Sequence, residues 1–159
     1  MRKFELTTDT KMRFGKKLFR IKALIDFGNV KAGEKGGYIE KEENLSQCGN
    51  AWVYGNAEVY GNAEVCGNAW VCGNAEVCGN AKVYGNADYA TAKGFGSEYR
   101  TTTFFKLKDS NEIGVRCGCF YGTLKEFKEK VKETHGETKK AKEYLMLADL
   151  MEYRFSEEK

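Results

Sequence analysis

The residue types that could do chemistry in this chain are few, and the single histidine among them is His135. It follows Leu124, Phe127 and Val131 at helical spacing, toward the end of a predicted helix. This position indicates a packing or capping role, because a cation near a helix C-terminus is stabilising and an apolar stripe is usually core. A general base at this position is the less favoured interpretation.

Three glutamates recur at whole multiples of one short interval, Glu58, Glu64 and Glu76. If this part of the chain coils with a period equal to the separation of Glu58 and Glu76, these two stack at roughly 4.8 Å through a parallel ladder. Two carboxylates this close repel each other and raise one pKa, which would suit acid–base chemistry. A solvated charged face is the alternative that we favour.

Cysteines repeat in the same way. Four of the six occupy a single repeat position that elsewhere holds tyrosine: Cys48, Cys66, Cys72 and Cys78. Only Cys48 and Cys66 are one full period apart, so only they would lie on one edge, while Cys117 and Cys119 alternate on a predicted strand and share a face. We expect reduced thiols, no metal and no cofactor.

The six-residue interval of the glutamates and of the repeat cysteines derives from one stretch, residues 49–90, which is a run of seven hexads without an insertion. Within a hexad such as Gly49–Tyr54, Ala51 and Val53 are two apart and point inward on a strand, whereas Trp52 points outward. The Gly-Asn pair tolerates positive φ and turns the chain. Three such corners close one coil, so a coil takes three hexads, and successive coils pair in parallel.

The three-hexad period sorts the outward residues onto three faces of a prism. They are Trp52, Trp70 and Asp88 on the first face, Glu58 and Glu76 on the second, and Ser46, Glu64 and Lys82 on the third. The two tryptophans then stack, and they need a cover: a neighbouring subunit, which we favour, the chain's own end elements, or a ligand. The predicted binding and interface residues are Trp52, Trp70, Tyr54, Tyr60, Tyr84, Asp88 and Lys82.

The hexads resemble the hexapeptide-repeat family, whose pattern is an aliphatic residue, three variable residues, a small residue and a variable one, as in Val53-Tyr54-Gly55-Asn56-Ala57-Glu58. The resemblance implies a left-handed parallel β-helix that often associates as a trimer. Together with IKALIDFGNVKAGEKGGYIEKEENLS and GVRCGCFYGTLKEFKEKVKETHG, the chain also resembles a group of phage and prophage proteins. That resemblance implies a viral origin and a host-cytoplasmic setting, and it brings no catalytic residues.

The flanking sequence predicts four strands and two helices. The strands are Lys3–Thr8, Leu18–Asp26, Thr101–Lys108 and Ile113–Phe120, with Thr91–Ser97 as a connector. Thr123-Leu124-Lys125-Glu126 is a capping box that opens a helix ending at Gly136, and a second helix runs from about Thr138 to Phe155. Glu43–Cys48 is predicted to be a degenerate first hexad. The predicted fold is mainly β: a short left-handed parallel β-helix (residues 43–92), an N-terminal β-hairpin (1–42) and a C-terminal ββαα element (93–159).

Charge is unevenly distributed along the chain. Residues 1–31 carry nine Lys/Arg against three Asp/Glu, a net of +6, whereas residues 49–90 carry one lysine against four acids, a net of −3. Phosphate contacts through Arg13, Lys16, Lys17 and Arg20 are one interpretation of the basic arm; the solvated face of a hairpin is the other and is favoured. No apolar run approaches the ~18–20 residues of a membrane span, so we expect a cytoplasmic protein without a membrane partner.

The number of histidines argues against the enzyme interpretations. Hexapeptide-repeat acyltransferases rely on a histidine base, and the related γ-class carbonic anhydrases on three zinc histidines, whereas this chain has only His135. We therefore predict a non-enzymatic phage-encoded binding protein, a homo-oligomer with a trimer favoured. It would counter host defence by binding a defence protein or by sequestering a nucleotide signal. Direct nucleic-acid binding through the basic arm and acyltransferase activity are the alternatives.

Overall fold

In the computed structural model the chain forms two compact units, Met1–Asn86 and Ala87–Lys159. The structure describes residues 2–96, 98–108 and 110–156. The strands of the first unit are β1 (Phe4–Arg13), β2 (Lys16–Ala23), β3 (Lys35–Ile39), β4 (Trp52–Val53), β5 (Glu58–Val59), β6 (Glu64–Val65), β7 (Trp70–Val71), β8 (Glu76–Val77) and β9 (Lys82–Val83). The second unit contains β10 (Tyr89–Phe95), β11 (Arg100–Lys106), β12 (Ile113–Cys117), β13 (Phe120–Thr123), α1 (Leu124–His135) and α2 (Lys139–Arg154).

Strands β1 and β2 form an antiparallel hairpin that reverses at Phe14-Gly15. Both turn residues have positive φ, 50° and 79°, as in the mirror-type turns whose twist matches an antiparallel pair. The hairpin is longer than the sequence predicts. Strand β1 continues past the predicted end at Thr8, with a register shift between Leu6 and Thr10.

Each of the first six hexads contributes a very short strand, and hexads three units apart pair in parallel. Trp52 pairs with Trp70, and Glu64 pairs with Lys82. The inward Ala and Val of these hexads are at most 1% exposed, and their corner glycines have φ between 63° and 74°. The inward–outward alternation and the three-hexad spacing between paired strands are therefore as predicted.

The predicted fold class is nevertheless wrong. The strands divide among a mixed sheet of order β1-β2-β3-β5-β8, an antiparallel sheet of order β10-β11-β12-β13, and two-stranded pairs β4-β7 and β6-β9. The molecule is a mainly β protein of several small sheets with two helices, and not a parallel β-helix. The physical reason is that so short a strand makes few ladder hydrogen bonds, whereas the flanking segments hold longer β-prone runs that pair antiparallel through tight turns.

The segment before Gly49 also departs from the predicted register. Leu45 bridges to Val65 and Tyr38 pairs with Glu58, so the offset in both places is longer than three hexads. A 3₁₀ turn at Glu42–Asn44 takes up part of this longer path. The predicted stacking of Ser46 on Glu64 is therefore wrong, because the Ser46 N–H donates to Val65 O. By Gly49 and Asn50 the offset is three hexads, and the predicted stacking of Cys48 on Cys66 stays a prediction.

The backbone N–H of the outward residue in one hexad donates to the inward alanine carbonyl three hexads later, as in Trp52 N–H to Ala69 O at 3.0 Å. The matching alanine carbonyls of the first three hexads, such as Ala51 O, have no earlier hexad before them and need donors from elsewhere. On the second face Tyr38 N–H donates to Ala57 O at 3.0 Å. On the third face the Asn44 side-chain amide, fully buried, donates to Ala63 O at 2.9 Å.

Lys3 supplies the donor on the first face. Its ammonium donates to Ala51 O at 2.7 Å and Gly49 O at 3.4 Å, and it lies 4.8 Å from the Phe27 ring centroid. The residue is only 1% exposed. Burial lowers the pKa of Lys3 to about 8, against an opposing influence of Cys48. A buried cation therefore closes the open end of this ladder.

The second unit packs helices on its antiparallel sheet around Phe104, Val115, Phe127 and Tyr144. Its tail is ββββαα and not the predicted ββαα. The predicted connector Thr91–Ser97 falls largely within β10, with Ser97 outside the described residues, and the predicted strand Ile113–Phe120 is two strands.

A tight turn at Gly118-Cys119 separates β12 from β13, with Gly118 at φ 58°. Cys117 and Cys119 therefore do not share a strand face. The predicted capping box is confirmed: Glu126 N–H donates to Thr123 Oγ1 at 3.2 Å, and Thr123 N–H donates to Glu126 Oε1 at 2.9 Å. No helix within the described part of the chain is long and apolar enough to cross a membrane.

The position of Lys3 predicts a pH dependence of stability. The folded-state pKa lies below the unfolded value of 10.5, so the unfolded chain binds more protons between about pH 8 and 10.5. Below pH 8 the amine is charged in both states and the burial penalty is present in full. Relative to Lys3→Met, which has no ammonium, the wild-type free energy of unfolding should rise with pH through this window, by on the order of 3 kcal/mol in total.

Urea titrations of both proteins at several pH values measure this difference. A difference that stays constant or falls between pH 8 and 10.5 would show that the Lys3 amine is not buried as a weak base.

Candidate functional site

The first tryptophan of the repeat, Trp52, is covered by its own chain. Its side chain is 2% exposed and makes edge-to-face contacts with Phe27 at 5.3 Å and Phe4 at 6.5 Å between ring centroids. Among the three covers considered for this residue, packing by the flanking elements therefore applies. The neighbouring subunit, which the sequence analysis favoured, is not needed to bury Trp52.

Two adjacent glycines allow strand β3 to approach the hexads closely, Gly36 at Trp52 and Gly37 at Ala57. A methyl group added at Gly36 would lie 2.8 Å from the Trp52 ring and would also meet the backbone oxygen of Val53. At Gly37 it would lie 2.6 Å from Ala57 O. Only glycine fits at such a separation, so this pair determines how tightly β3 packs on the hexads.

Trp70, the second tryptophan, is partly exposed and borders an open pocket of about 330 Å³. Trp52 and Tyr54 line the same pocket. Tyr54 stands perpendicular to Trp70, with ring centroids 5.8 Å apart and an interplanar angle of 89°. Three of the predicted binding residues thus meet at one cavity, and both tryptophans of the chain are among them.

The phenol of Tyr54 remains protonated well above neutral pH. A hydrogen bond with the Cys72 sulfur, together with partial burial, raises the pKa of Tyr54. An uncharged phenol beside Trp70 keeps this part of the pocket aromatic and neutral. Such a surface suits a planar ligand.

Polar groups come to the rim of this pocket from residues that the sequence analysis did not single out. Asn29, Glu34 and Lys35 belong to the loop before β3 and to its first residue, and Glu34 and Lys35 are exposed. The sequence signal that marks this loop is its glycines, Gly33 and Gly36 among them. The sequence alone does not show which hexad the loop covers.

The second face holds a charged cluster rather than a solvated row of acids. Arg13 reaches across Glu58 and Glu76, with Nε 2.8 Å from Glu58 Oε1 and an η-nitrogen 2.7 Å from Glu76 Oε1. Lys11 Nζ lies 2.5 Å from Glu58 Oε2, and Tyr60 donates to Glu76 Oε2 at 3.2 Å. The prediction that Glu58 and Glu76 stack is confirmed, and the prediction of a solvated face is wrong at Glu58, which is 4% exposed.

Burial opposes the charge of Arg13, but the neighbouring carboxylates outweigh it and raise the pKa of its guanidinium. The Arg13 guanidinium shared by the two stacked carboxylates, with Lys11 on Glu58, offsets the repulsion that would otherwise favour proton sharing. The arrangement can therefore tie the hairpin to the hexads, and it is poorly suited to acid–base catalysis.

The other predicted phosphate contacts are also engaged within the first unit. Arg20 binds Asp9 at 3.0 Å and donates to Gly36 O and the Tyr38 hydroxyl, both at 3.0 Å. Lys16 Nζ is 3.7 Å from Glu40 Oε2. Hydrogen bonding to Tyr38 is the leading cause that raises the pKa of Arg20.

Lys17 lies over the Phe19 ring at 5.5 Å. The structure thus places most of the basic arm on intramolecular partners, which leaves less of its charge for phosphate.

The third face pairs opposite charges. Glu64 and Lys82 are in register, the Tyr84 hydroxyl donates to Glu64 Oε1 at 3.2 Å, and Lys82 Nζ lies 5.4 Å from the Tyr84 ring. Lys82, Tyr84 and the buried Tyr60 are therefore not part of the aromatic pocket.

The first face does not continue to Asp88 as a paired strand. The backbone N–H of Trp70 instead donates to Asn86 Oδ1 at 2.8 Å, and a 3₁₀ turn begins at Asn86. Asp88 belongs to the second compact unit, where its carboxylate lies 3.2 Å from Lys106 Nζ. The predicted stacking of Trp52, Trp70 and Asp88 holds for the two tryptophans only.

The single histidine lies in the second unit and packs against an aromatic ring. His135 stacks on Tyr144 with centroids 6.1 Å apart, and together with Cys117 and Lys130 it borders a cavity of about 190 Å³. Thr102 donates to the Cys117 sulfur at 3.2 Å. All six cysteines are free thiols, and among the described residues no three metal-binding side chains converge.

Comparison of the chain with models of known protein families and with curated proteins finds no match. The resemblance to hexapeptide-repeat and phage proteins therefore stays a prediction from the quoted motifs.

The close approach at Gly36 predicts a stability effect. In Gly36→Ala the new methyl group would clash with Trp52 and the Val53 carbonyl. The free energy of unfolding of the first unit should therefore fall by about 1–3 kcal/mol. Gly85→Ala is the matched control, since nothing lies within 4 Å of its added methyl group. Denaturant titration with tryptophan fluorescence reports on this unit, and equal midpoints for the two variants would contradict the packing described.

The clamp formed by Arg13 on Glu58 and Glu76 predicts a second effect on stability. Arg13→Gln leaves two adjacent carboxylates without their shared cation and should destabilise the protein by on the order of 2 kcal/mol, between the values for exposed and buried pairs. Lys17→Gln, from the same hairpin, should change stability by less than about 0.5 kcal/mol. Urea unfolding at neutral pH measures both. A loss as large in Lys17→Gln as in Arg13→Gln would mean that net charge, and not the clamp, sets the effect.

Proposed function

We propose that this protein is a non-enzymatic binding protein whose ligand occupies the pocket between Trp52, Tyr54 and Trp70. The observation that carries the proposal is that both tryptophans of the chain border one cavity of about 330 Å³. Small-molecule sites are mostly apolar and aromatic concavities of ≈ 300–1,000 Å³ with a few polar groups at the edge. The pocket has this composition.

The ligand class that best fits the lining is a nucleotide. A base can stack on the partly exposed Trp70 ring, and aromatic stacking of this kind contributes ≈ 1–3 kcal/mol per base. Asn29 and Glu34 offer hydrogen-bonding groups for a base edge, and the Lys35 ammonium offers a charge partner for phosphate. A volume near the lower end of the range suits one base, with its phosphate at the open rim.

The state of the basic arm favours a small ligand over a nucleic-acid strand. A strand would need a track of available cations, whereas Arg13 and Arg20 are held by Glu58, Glu76 and Asp9. Breaking these pairs to bind phosphate would offset much of the gain. The nucleic-acid alternative therefore has less support than it has from sequence charge alone.

The biological setting follows from the sequence resemblance and belongs to the proposal. A phage-encoded protein of this kind, acting in the host cytoplasm, would counter host defence by sequestering a nucleotide signal. The aromatic, amide, carboxylate and ammonium groups of the pocket lining can all serve in recognition of a nucleotide. His135, the residue on which an acyltransferase would depend, packs on Tyr144 in the second unit.

The test uses the tryptophans as reporters. Titration with AMP, GMP, CMP, UMP and cyclic di-AMP should change the fluorescence of the wild-type protein for at least one of them. Trp70→Ala should weaken that binding, measured by calorimetry, by ≈ 1–3 kcal/mol, about 5- to 150-fold. Tyr99→Ala, which removes an aromatic ring that is 67% exposed in the second unit, should not.

Native mass measurement of freshly purified protein complements the titration, because a ligand carried from the cell adds its mass to the folded protein only. Failure of all five nucleotides together with an unloaded native mass would overturn the proposal. Salt-sensitive binding of a single-stranded oligonucleotide without nucleotide binding would establish the strand-binding alternative instead.

A further inference from the structure

The outer side of α2 carries three large apolar side chains that are mostly exposed. Met146 is 71% exposed, Leu150 55% and Tyr153 80%. They are spaced i, i+4 and i+7, so they form one stripe along the helix. The opposite side is buried against the sheet and α1 through Ala141, Tyr144, Ala148 and Met151. The stripe is thus a second apolar surface on a helix whose first is already used.

Charged residues of both signs flank this stripe in an ordered way. At about 100° per residue, Lys142 and Asp149 lie roughly 40–60° to one side of Met146, and Glu143 and Arg154 lie roughly 60–80° to the other. Each edge therefore has one cation and one anion, separated along the helix axis. On the first edge the cation comes first in the chain, and on the second edge the anion comes first.

We propose that α2 is a homodimer contact, in which the stripes of two copies of this chain pack antiparallel about a two-fold axis. Such an axis brings each edge against the same edge of the second copy, in reversed order. Lys142 of one copy then faces Asp149 of the other, and Glu143 faces Arg154. One axial register serves both pairs: each has an axial offset of roughly 4.5 Å, within reach of side chains of this length.

The same register places apolar groups at the centre. Met146 of each copy lies between Met146 and Leu150 of the other, displaced along the axis by roughly 3 Å from each. Tyr153 meets the aliphatic stem and ammonium of Lys139 from the second copy, a pairing that buries the ring and adds a cation–π contact. Apolar groups at the centre with charges at the rim are the usual anatomy of a protein interface.

Existing contacts of these charges are compatible with the dimer. Asp149 is 3.2 Å from Lys128 Nζ, yet its side chain is 73% exposed, and a carboxylate accepts several hydrogen bonds. Arg154 donates to Tyr89 O at 3.5 Å, which is a long bond, and a guanidinium with its several N–H groups can serve more than one partner at a time. The contacts within the chain and those across the dimer can therefore coexist.

The order of the charges along each edge indicates that the partner is a second copy of this chain. A purely acidic or purely basic partner would complement half of the charges and oppose the rest. A surface whose two edges each complement themselves under a two-fold rotation matches its own copy. This interface lies in the second unit and does not depend on the ligand proposed for the first.

Analytical ultracentrifugation over a range of concentrations tests the proposal with the full-length protein. The wild type should reach twice the chain mass, and Leu150→Glu should remain at the chain mass. Met12→Glu is the matched control, because Met12 is an apolar residue of β1 with similar exposure, 65%, and should dimerise as the wild type does. A wild type that stays at the chain mass, or a dimer that Leu150→Glu leaves intact, would overturn the proposal.

Charge reversal gives a second, independent measurement that a folding defect does not imitate. Lys142→Glu should weaken the dimer roughly tenfold, because each substitution acts at two symmetric contacts. Asp149→Lys should weaken it by a similar factor, and the double variant should regain most of the wild-type affinity. Glu143→Arg and Arg154→Glu should behave in the same way on the other edge. Single and double variants of equal affinity on both edges would exclude the antiparallel arrangement.

Discussion

The first unit depends on how the open end of the hexad ladder is closed. In later hexads the inward alanine carbonyl accepts from the N–H of a hexad three units earlier, so the corresponding carbonyls of Ala51, Ala57 and Ala63 have no earlier hexad to satisfy them. Tyr38, Asn44 and Lys3 supply donors on the three faces. Because an unsatisfied buried carbonyl costs ≈ 1–3 kcal/mol, the residues before Gly49 are folded onto the hexads and do not form an independent arm.

This closure has consequences for the charges and for the tryptophans. Lys3 immediately precedes the β1–β2 hairpin, and this hairpin also brings Arg13 between the stacked carboxylates of Glu58 and Glu76. Two carboxylates that would repel each other thereby bind the hairpin to the hexads. Strand β3 passes close to Trp52 at Gly36 and to Ala57 at Gly37. One tryptophan becomes core as a result, and the other remains at the pocket edge with a polar loop beside it.

The two units expose different kinds of surface. The pocket at Trp70 is concave, with aromatic walls and polar groups at the rim, and this shape suits a small planar molecule. The stripe on α2 is convex and apolar, with charges on both edges, and this shape suits another protein surface. A binding protein that forms dimers would present two ligand pockets per assembly. The two proposals are therefore compatible, and neither depends on the other.

The sequence by itself determined the local features: the inward Ala and Val, the glycine corners, the pairing of Trp52 with Trp70, and the capping box at Thr123. Each depends on chemistry repeated within a few residues or at one fixed interval. Tertiary structure decided the fold class, the longer offset before Gly49, and the partners of Lys3 and Arg13. These depend on contacts between segments far apart in the chain, as between Lys3 and Ala51 or between Arg13 and Glu58. Hexad spacing does not encode such contacts, since any donor or cation of suitable reach could have filled those positions.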